Sequence, residues 1–276
     1  MKVESLDRVP CMRMLIYGDS GSGKTTLMGT AMECEETFPL LVLDARGQSI
    51  SLRRFDPQPL VLTIEDMKDF NVIYEFFRDG QDMEWLAHQS GTLASLVAHY
   101  LESVGADKFG SVGIDSITHV QRIAMGGIVG TTPLPGDIPP QTKIQQWGRT
   151  LAQVTNFTDL FFQLPIPVIM TALARRDNIE ALGLVMFAPF LWGQSQLEVP
   201  SHAEIVGRLM CTSTVPVKEQ RMVEQAAAQA SRDIPFNILY LQGGRDYIAK
   251  WQGVIDPPLR MAVPTVDDMM KVICSQ

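Results

Sequence analysis

Apolar positions occur along this chain in short uninterrupted runs, with polar or amphipathic stretches between them. Runs that are apolar throughout predict strands buried on both faces of a sheet. Buried strands separated by helices indicate an α/β fold with a mainly parallel sheet flanked by helices, to which added C-terminal strands contribute antiparallel hairpins. We expect strands at Met12–Tyr17, Leu40–Asp44, Leu60–Ile64, Phe109–Ser116, Pro167–Leu173, Gly183–Phe187, Ile205–Cys211 and Phe236–Gln242. Helices are expected at about 26–32, 65–77 and 92–104, from near Ser116 onward, and at Glu224–Ala230.

One long segment, Gly126–Gln146, interrupts this alternation. It contains several glycines and prolines, among them the pairs Gly126-Gly127 and Pro139-Pro140. These residues favour turns over regular structure. A loop of this length is usually functional or disordered.

The segment Gly18–Thr25 reads GDSGSGKT and matches the phosphate-loop pattern G-x-x-x-x-G-K-[ST]. Its glycines let backbone N–H groups approach phosphate oxygens, and the following helix adds the partial positive charge of its N-terminus. Lys24 is expected at the β- and γ-phosphates, and Thr25 at Mg²⁺. The alternative is a glycine-rich turn without a ligand, which the flanking strand and helix disfavour. We therefore expect ATP to be bound by Gly18, Ser20, Gly21, Ser22, Gly23, Lys24, Thr25 and Thr26.

Two acids compete for the second Mg²⁺ position. A P-loop enzyme needs an acid at the end of a neighbouring strand to hold the metal. Asp44 and Asp115 each end an apolar run. Asp115 is favoured because Ser116 follows it directly and a helix then begins. A helix N-cap would use the same residue type, so that role is compatible with metal binding.

Composition narrows the class of protein. The chain has 276 residues, 46% hydrophobic and 20% charged, with a formal net charge of −8. This is typical of a globular chain, and the acidic balance argues against broad nonspecific nucleic-acid binding. The sequence contains no apolar stretch of about 18 residues, so no membrane-spanning helix is predicted. Four scattered cysteines suggest neither zinc nor a disulfide framework, so a cytoplasmic location is expected. Adenine is favoured over guanine because Thr142-Lys143 lacks the acid of a guanine-binding motif.

Several segments in order resemble the core motifs of RecA-like ATPases, and more narrowly a family of phage and prophage nucleotide-binding proteins. They are Tyr17–Thr26, Val42–Ala45, Gly113–Ser116, Val168–Ala172, Gln146–Gly148, Ala188–Gly193 and Tyr247–Lys250. Some members of that family assist single-strand annealing in phage recombination. The resemblance implies one RecA-like domain over residues 1–276 with a core at about 11–260. It also implies ATP and Mg²⁺ as ligands, Lys24, Asp115 and Thr171 as catalytic residues, and the cytoplasm of the host if the chain is phage-encoded.

The same resemblance implies partners. RecA-like proteins form homo-oligomers and bind single-stranded DNA on loops, which here correspond to Gly126–Gln146 and Ala174–Trp192. The second segment carries Arg175-Arg176, which can bind backbone phosphates. The aromatic residues that can stack on bases are Trp147, Phe187, Phe190 and Trp192. A solvated strand end and core aromatics are the alternative reading. A single-strand DNA-binding protein is a further implied partner.

Two departures from the family pattern affect hydrolysis. RecA-like proteins usually carry a glutamate that activates water two residues after a strand-end acid. Here that acid corresponds to Asp44, and the glutamate position is Arg46. A guanidinium cannot act as a general base. Family members also tend to have an Asp-Arg pair where Trp251-Gln252 stand. ATP binding with slow hydrolysis is therefore predicted. The alternative is a small-molecule kinase, in which Asp44 and Arg46 hold a hydroxyl substrate.

Overall fold

The computed structural model describes residues 12–47, 49–130, 143–179, 184–211, 221, 237–243, 247–252, 260–262 and 264–274. The strands are β1 Arg13–Gly18, β2 Leu40–Asp44, β3 Leu60–Thr63, β4 Ser111–Asp115, β5 Val168–Ile179, β6 Leu184–Pro189, β7 Ile205–Cys211, β8 Asn237–Tyr240, β9 Lys250–Trp251 and β10 Arg260–Ala262. The helices are α1 Lys24–Gly29, α2 Met67–Arg78, α3 Met83–Gln89, α4 Gly91–Val104, α5 Ile117–Val129, α6 Ile144–Phe162, α7 Ser195–His202 and α8 Val266–Cys274. Short 3₁₀ turns cover Thr30–Glu33 and Ile50–Arg54.

These strands form one sheet in the order β3-β2-β4-β5-β1-β7-β8-β10. The strands from β3 to β7 are parallel, whereas β8, β9 and β10 add antiparallel pairs and β6 forms a hairpin with β5. This arrangement confirms the predicted α/β fold with a mainly parallel sheet and added C-terminal strands. Because parallel strands end at the same edge, the carboxyl ends of β1, β2, β4 and β5 lie together there.

Two hydrophobic layers cover the faces of the sheet. The larger layer packs α2, α4, α5 and α6 against one face, with aromatic contacts such as Phe70 edge-on to Phe157 at 4.9 Å between ring centroids. The smaller layer packs α1 and α8 against the other face, around Met28, Leu209 and Met269. Burial on both faces explains why the central strands are apolar throughout.

Polar residues at the helix ends set the limits of several helices. The side chain of Asp66 accepts a hydrogen bond from Lys68 N at 3.0 Å at the start of α2. Asp82 and Ser90 do the same at the starts of α3 and α4, which satisfies N–H groups that have no partner within the helix. At the end of α4, Gly105 adopts the left-handed conformation with φ 67°.

Several expected boundaries need correction. The segment Gly126–Gln146 is not irregular at its ends, since Gly126–Val129 belong to α5 and Ile144 begins α6, while residues 131–142 lie outside the described residues. The segment Ala174–Trp192 is not an open loop, because β5 and β6 pair in an antiparallel hairpin over most of it. In the hairpin, backbone pairing between the two strands outweighed the local turn preferences. At the ends of Gly126–Gln146, the packing of glycine-containing helices against the sheet outweighed them.

Other helices were shifted or missed. Helix α1 begins at Lys24, two residues earlier than expected, and α3, α6, α7 and α8 were not predicted. The helix expected at Glu224–Ala230 lies outside the described residues. Helix α7 contains Pro200, which disfavours a helical prediction from sequence.

Candidate nucleotide-binding site

The phosphate loop connects the end of β1 to the start of α1 and closes around the amine of Lys24. Gly23 adopts φ 91°, a left-handed conformation that disfavours any residue with a side chain. A Cβ on Gly18 would lie 2.2 Å from the carbonyl oxygen of Leu209, so β7 packs directly against the start of the loop. The backbone of the loop is therefore specified by glycine at both positions.

Lys24 is 7% exposed, and its Nζ donates to the carbonyl oxygens of Gly18 at 2.9 Å and Asp19 at 2.7 Å. The Oγ of Ser22 lies 3.4 Å from the same nitrogen. Burial lowers the pKa of Lys24 to about 8, although the negative charges of Asp115 and Asp19 oppose that shift. An incoming phosphate can replace the carbonyl partners and restore the charged form.

Asp115 connects three elements of the site. Thr25 Oγ1 donates to its Oδ2 at 2.6 Å, and Thr171 Oγ1 donates to its Oδ1 at 2.6 Å. The contact with Thr171 follows from register, because Ile114 of β4 lies opposite Met170 of β5 and the next residues are therefore neighbours. Thr25, Asp115 and Thr171 come from distant parts of the sequence and meet at one edge of the sheet.

Asp44, the competing acid, has a different role. It is 2% exposed, and its Oδ1 accepts from the backbone N–H groups of Arg46 and Gly47, both at 2.8 Å. Its Oδ2 accepts from Ser49 N at 2.9 Å and from Ser49 Oγ at 2.6 Å. Four donors occupy this carboxylate, so Asp44 stabilises the turn after β2.

A pocket of about 210 Å³ lies beside the phosphate loop. It brings together residues of the loop, the turn after β2 and the end of β4. Its lining consists of Ser20, Gly21, Gly23, Lys24, Thr25, Thr26, Arg46, Ser51, Asp115, Ser116 and Leu173. Of the predicted binding residues, Gly18 and Ser22 contact Lys24 instead of lining the pocket, and Thr171 reaches it through Asp115.

The oxygens of Thr25 and Asp115 fit a magnesium ion. Mg²⁺ prefers hard oxygen ligands and is commonly held by one or two protein groups together with substrate phosphates. The hydroxyl and the carboxylate already lie within hydrogen-bonding distance of each other beside the loop. These two groups would hold the ion.

His119 was not expected at the site. Its Nδ1 lies 2.8 Å from the Oγ of Ser116, one turn into α5. Burial lowers the pKa of His119 from 6.5 to about 4, assisted by the positive charges of Arg122 and Arg46 and opposed by Asp115 and Asp44. The i to i+3 spacing from Ser116, directly after the strand-end acid, was the available sequence signal.

The predicted DNA-binding residues are partly engaged within the protein. Arg175 Nε pairs with Asp177 Oδ1 at 2.6 Å. Lys250, a further cation that the sequence leaves open for a subunit interface or for DNA, donates from Nζ to the carbonyl oxygens of Ser201 and Ala203 at the end of α7. Lys250 is thus a helix-capping residue.

The aromatics proposed for base stacking also have protein partners. The guanidinium of Arg208 lies 3.7 Å from the ring centroid of Phe187. Trp147 and Trp192 contact each other edge-to-face at 4.9 Å between centroids, and both are half-buried. Arg176, by contrast, is exposed.

The fold and this site define a P-loop nucleotide-binding protein. The chain belongs to the AAA domain family, whose model matches residues 11–250. It is therefore an AAA-type, nucleotide-binding ATPase by family. No curated protein matches the sequence.

Solved structures with a similar fold are distant. A crystal structure of the RadB recombinase is 16% identical with a TM-score of 0.41, covering 86% of this chain and 83% of that one. An ATPase from the type III secretion system of pathogenic bacteria is 18% identical with a TM-score of 0.37, over 76% of this chain and 54% of that one. The pCW3 conjugation coupling protein TcpA with ATPγS is 12% identical with a TM-score of 0.35, over 88% and 60%. Within the described residues, no helix is both long and apolar enough to cross a membrane.

Proposed function

We propose that this chain is an ATP-binding RecA-like protein that hydrolyses ATP slowly and acts as an accessory ATPase in DNA recombination or single-strand annealing. The observation that carries the nucleotide part is the convergence of Thr25 and Thr171 on the two oxygens of Asp115 beside the phosphate loop. Helix α1 and strands β4 and β5 contribute these groups, so their meeting does not follow from local sequence alone.

Each group has a defined part in binding. The N–H groups of the loop and the amine of Lys24 bind the β- and γ-phosphates. Thr25 and Asp115 hold Mg²⁺, which when bound neutralises part of the phosphate charge. Thr171 orients the Asp115 carboxylate by donating to the oxygen that Thr25 does not contact.

Slow hydrolysis follows from the acids in the pocket. Among the described residues that line it, Asp115 is the only carboxylate, and it is assigned to the metal. Arg46 occupies the position where an acid would activate water, and it cannot accept a proton at neutral pH. The site therefore favours retention of ATP over turnover.

Strand β5 supports the DNA part of the proposal. It carries Thr171 at the nucleotide site and, four and five residues further along, Arg175 and Arg176 at an exposed part of the hairpin. That separation is roughly 13–17 Å along a strand. A polyanion bound at these arginines would act on the same strand that positions Asp115.

The kinase alternative has less support. It required Asp44 to hold a hydroxyl substrate, but four hydrogen bonds occupy both oxygens of that side chain. A substrate hydroxyl would need to displace these hydrogen bonds and leave partly buried donors without their carboxylate partner.

Calorimetry with a non-hydrolysable ATP analogue and Mg²⁺ tests the nucleotide site. Lys24→Ala is expected to weaken binding at least about 10-fold, the loss of a charged hydrogen bond, while thermal stability stays near the wild-type value. Lys108→Ala is the matched control, because exposed Lys108 precedes β4 at the opposite edge of the sheet. Equal affinity in the wild type and Lys24→Ala would refute the site assignment.

A turnover assay tests the slow rate and the DNA part together. The wild-type rate should lie well below ~1 s⁻¹, the lower end of ordinary enzymes, and single-stranded DNA should change it. A rate that does not respond to DNA, together with phosphoryl transfer to a small hydroxyl compound, would favour the kinase.

A further inference from the structure

The turn after β2 brings a second cation to the phosphate pocket. Arg46 lines the pocket together with Lys24 and Asp115. Its backbone is fixed from two sides, since Arg46 N donates to Asp44 Oδ1 at 2.8 Å and Ala45 N donates to the carbonyl oxygen of Asp115 at 2.9 Å. The side chain therefore starts from a rigid position next to the metal-binding acid.

The guanidinium of Arg46 has no ion-pair partner among the described residues. Asp44, the nearest acid in sequence, directs both of its oxygens to backbone and hydroxyl donors of its own turn. The positive charge of Arg46 instead acts on the site, where it contributes to lowering the pKa values of Lys24 and His119. Two cations thus face a pocket lined by one carboxylate.

Because two positive side chains face a single carboxylate, the pocket favours an anion that carries more than one negative charge. Arginine presents a planar fork of donors that matches phosphate oxygens, whereas lysine acts as a point charge. The loop N–H groups and Lys24 account for the phosphates nearest the loop. Arg46 follows Ala45, whose N–H donates to the carbonyl oxygen of Asp115, so Arg46 enters the pocket beside the metal-binding acid, where the outermost phosphate is expected.

We propose that Arg46 binds the terminal phosphate of ATP, and that this contact makes the pocket discriminate ATP from ADP. The inference rests on the proposed function, since it requires a nucleotide in the phosphate loop. It gives a positive role to the residue that replaces the expected acid, because the same side chain that cannot activate water stabilises bound ATP.

The turn after β2 also forms a neighbouring, larger pocket. Gly47, Ser49, Ile50 and Arg53 line a cavity of about 440 Å³ on the far side of the turn. Arg53 lies in the 3₁₀ turn that follows, Ile50–Arg54, and carries the same charge as Arg46, but it lines the other pocket. It provides a matched control for removal of one arginine.

The test compares the affinities of two nucleotides in Arg46→Ala, Arg46→Lys and Arg53→Ala by calorimetry with Mg²⁺. Arg46→Ala should weaken binding of a non-hydrolysable ATP analogue about 10-fold or more, and binding of ADP less than about 2-fold. Arg46→Lys should fall between, because it keeps the charge without the fork. Arg53→Ala should leave both affinities unchanged.

The nucleotide ratio separates this role from a structural one. Equal losses for ADP and the ATP analogue in Arg46→Ala, or no loss for either, would overturn the assignment of Arg46 and leave the nucleotide site intact. Failure of the wild-type chain to bind both nucleotides would overturn the proposed function, and the role of Arg46 with it.

Discussion

At the residue scale, Lys24 and Arg46 both line the phosphate pocket, and the pKa of Lys24 is lowered toward physiological pH. Its amine is buried, which lowers its pKa to about 8, and it is held by carbonyl oxygens of its own loop. Phosphate binding requires the charged form. The pH at which Lys24 loses its proton is therefore a property of the nucleotide-free protein that binding experiments can measure.

We expect affinity for an ATP analogue to fall above pH 8. Once Lys24 is mostly neutral, affinity should decrease by up to about 10-fold for each further pH unit. Lys24→Arg keeps its charge throughout this range and should show a flat profile. Parallel profiles for the two proteins would mean that another group titrates. Calorimetric titrations between pH 7 and 9.5 would make the comparison.

His119 adds a second pH dependence, on stability. Its pKa is lowered to about 4 in the folded protein, mainly by burial, so the unfolded chain binds more protons between about pH 4 and 6.5. Stability is therefore fully present above pH 6.5 and is lost as the pH falls toward 4. Arg46 and Arg122 favour the neutral ring, whereas Asp44 and Asp115 oppose that preference.

Urea denaturation at pH 7, 6, 5 and 4 should therefore give a shallower loss of stability for His119→Gln than for the wild type. Glutamine retains hydrogen-bonding capacity toward Ser116 but does not titrate. His88→Gln is the control, since His88 is exposed on α3. If His119→Gln keeps the full acid sensitivity, the buried histidine is not its source.

At the scale of elements, Tyr17 joins the phosphate-loop strand to the β5–β6 hairpin. Its ring is fully buried, and its hydroxyl lies 2.6 Å from the carbonyl oxygen of Ile248 and 3.1 Å from that of Phe187. The hydroxyl also accepts from Ile248 N at 3.0 Å. One side chain of β1 thus holds two segments that are distant in sequence.

Tyr17→Phe should destabilise the fold by about 1 kcal/mol, because it removes the hydroxyl that donates to the carbonyl oxygen of Ile248, while Ile248 N and the carbonyl oxygen of Phe187 keep the hydrogen bond between them. Thermal denaturation would show a clear decrease in Tm. Tyr100→Phe removes a hydroxyl that bonds the carbonyl of Gln58 near the surface, and should change stability by less than about 0.5 kcal/mol. Equal effects of the two substitutions would contradict the role of Tyr17.

These elements show which parts of the fold could be read from sequence. Strands β2 and β7 match their predicted bounds because they are apolar runs buried on both faces. Helix α6 was not predicted because Gln146 and Gly148 weaken the helical sequence pattern of its first turns. Its apolar residues contact elements that are distant in sequence, which a local pattern does not identify. Strand β6 overlaps its predicted bounds, but the continuation of β5 past Leu173 was not predicted, because its polar residues are held by cross-strand pairing.

The residues of the site also fall into two groups, those that a local sequence pattern predicts and those that depend on the fold. Lys24 and Thr25 were identified from spacing, because a phosphate loop is a local structure. The hydrogen bonds that Asp44 accepts from its own turn depend on the conformation of that turn, which the sequence pattern alone does not define. The contact of Thr171 with Asp115 depends on strand order and register, which the pattern does not define either. The pairing of Ser116 with His119 needed only the helical spacing and was overlooked.

At the scale of the whole molecule, the acidic chain must bring any DNA to a local cationic surface. Arg175 and Arg176 are adjacent on a strand, so their side chains point to opposite faces. Arg175 is also paired with Asp177, which itself accepts a hydrogen bond from Gln196 at 2.9 Å. Arg176 is exposed without an ion pair among the described residues, and so is the stronger candidate for a phosphate contact.

We expect the chain to self-associate, and an ATP analogue with single-stranded DNA to promote assembly, because RecA-like domains usually place the nucleotide near a subunit interface. Light scattering with and without each ligand measures this. A monomer under every condition would contradict the proposed role in recombination.

In the assembled protein, Arg175→Ala combined with Arg176→Ala should weaken DNA binding and reduce the log–log salt slope by roughly 1.4 if both contact phosphates, or roughly 0.7 if only Arg176 does. Arg53→Ala combined with Arg54→Ala removes the same charge from another exposed pair and should leave the slope unchanged. If both double variants behave alike, the loss reflects net charge, and the hairpin is not the DNA surface.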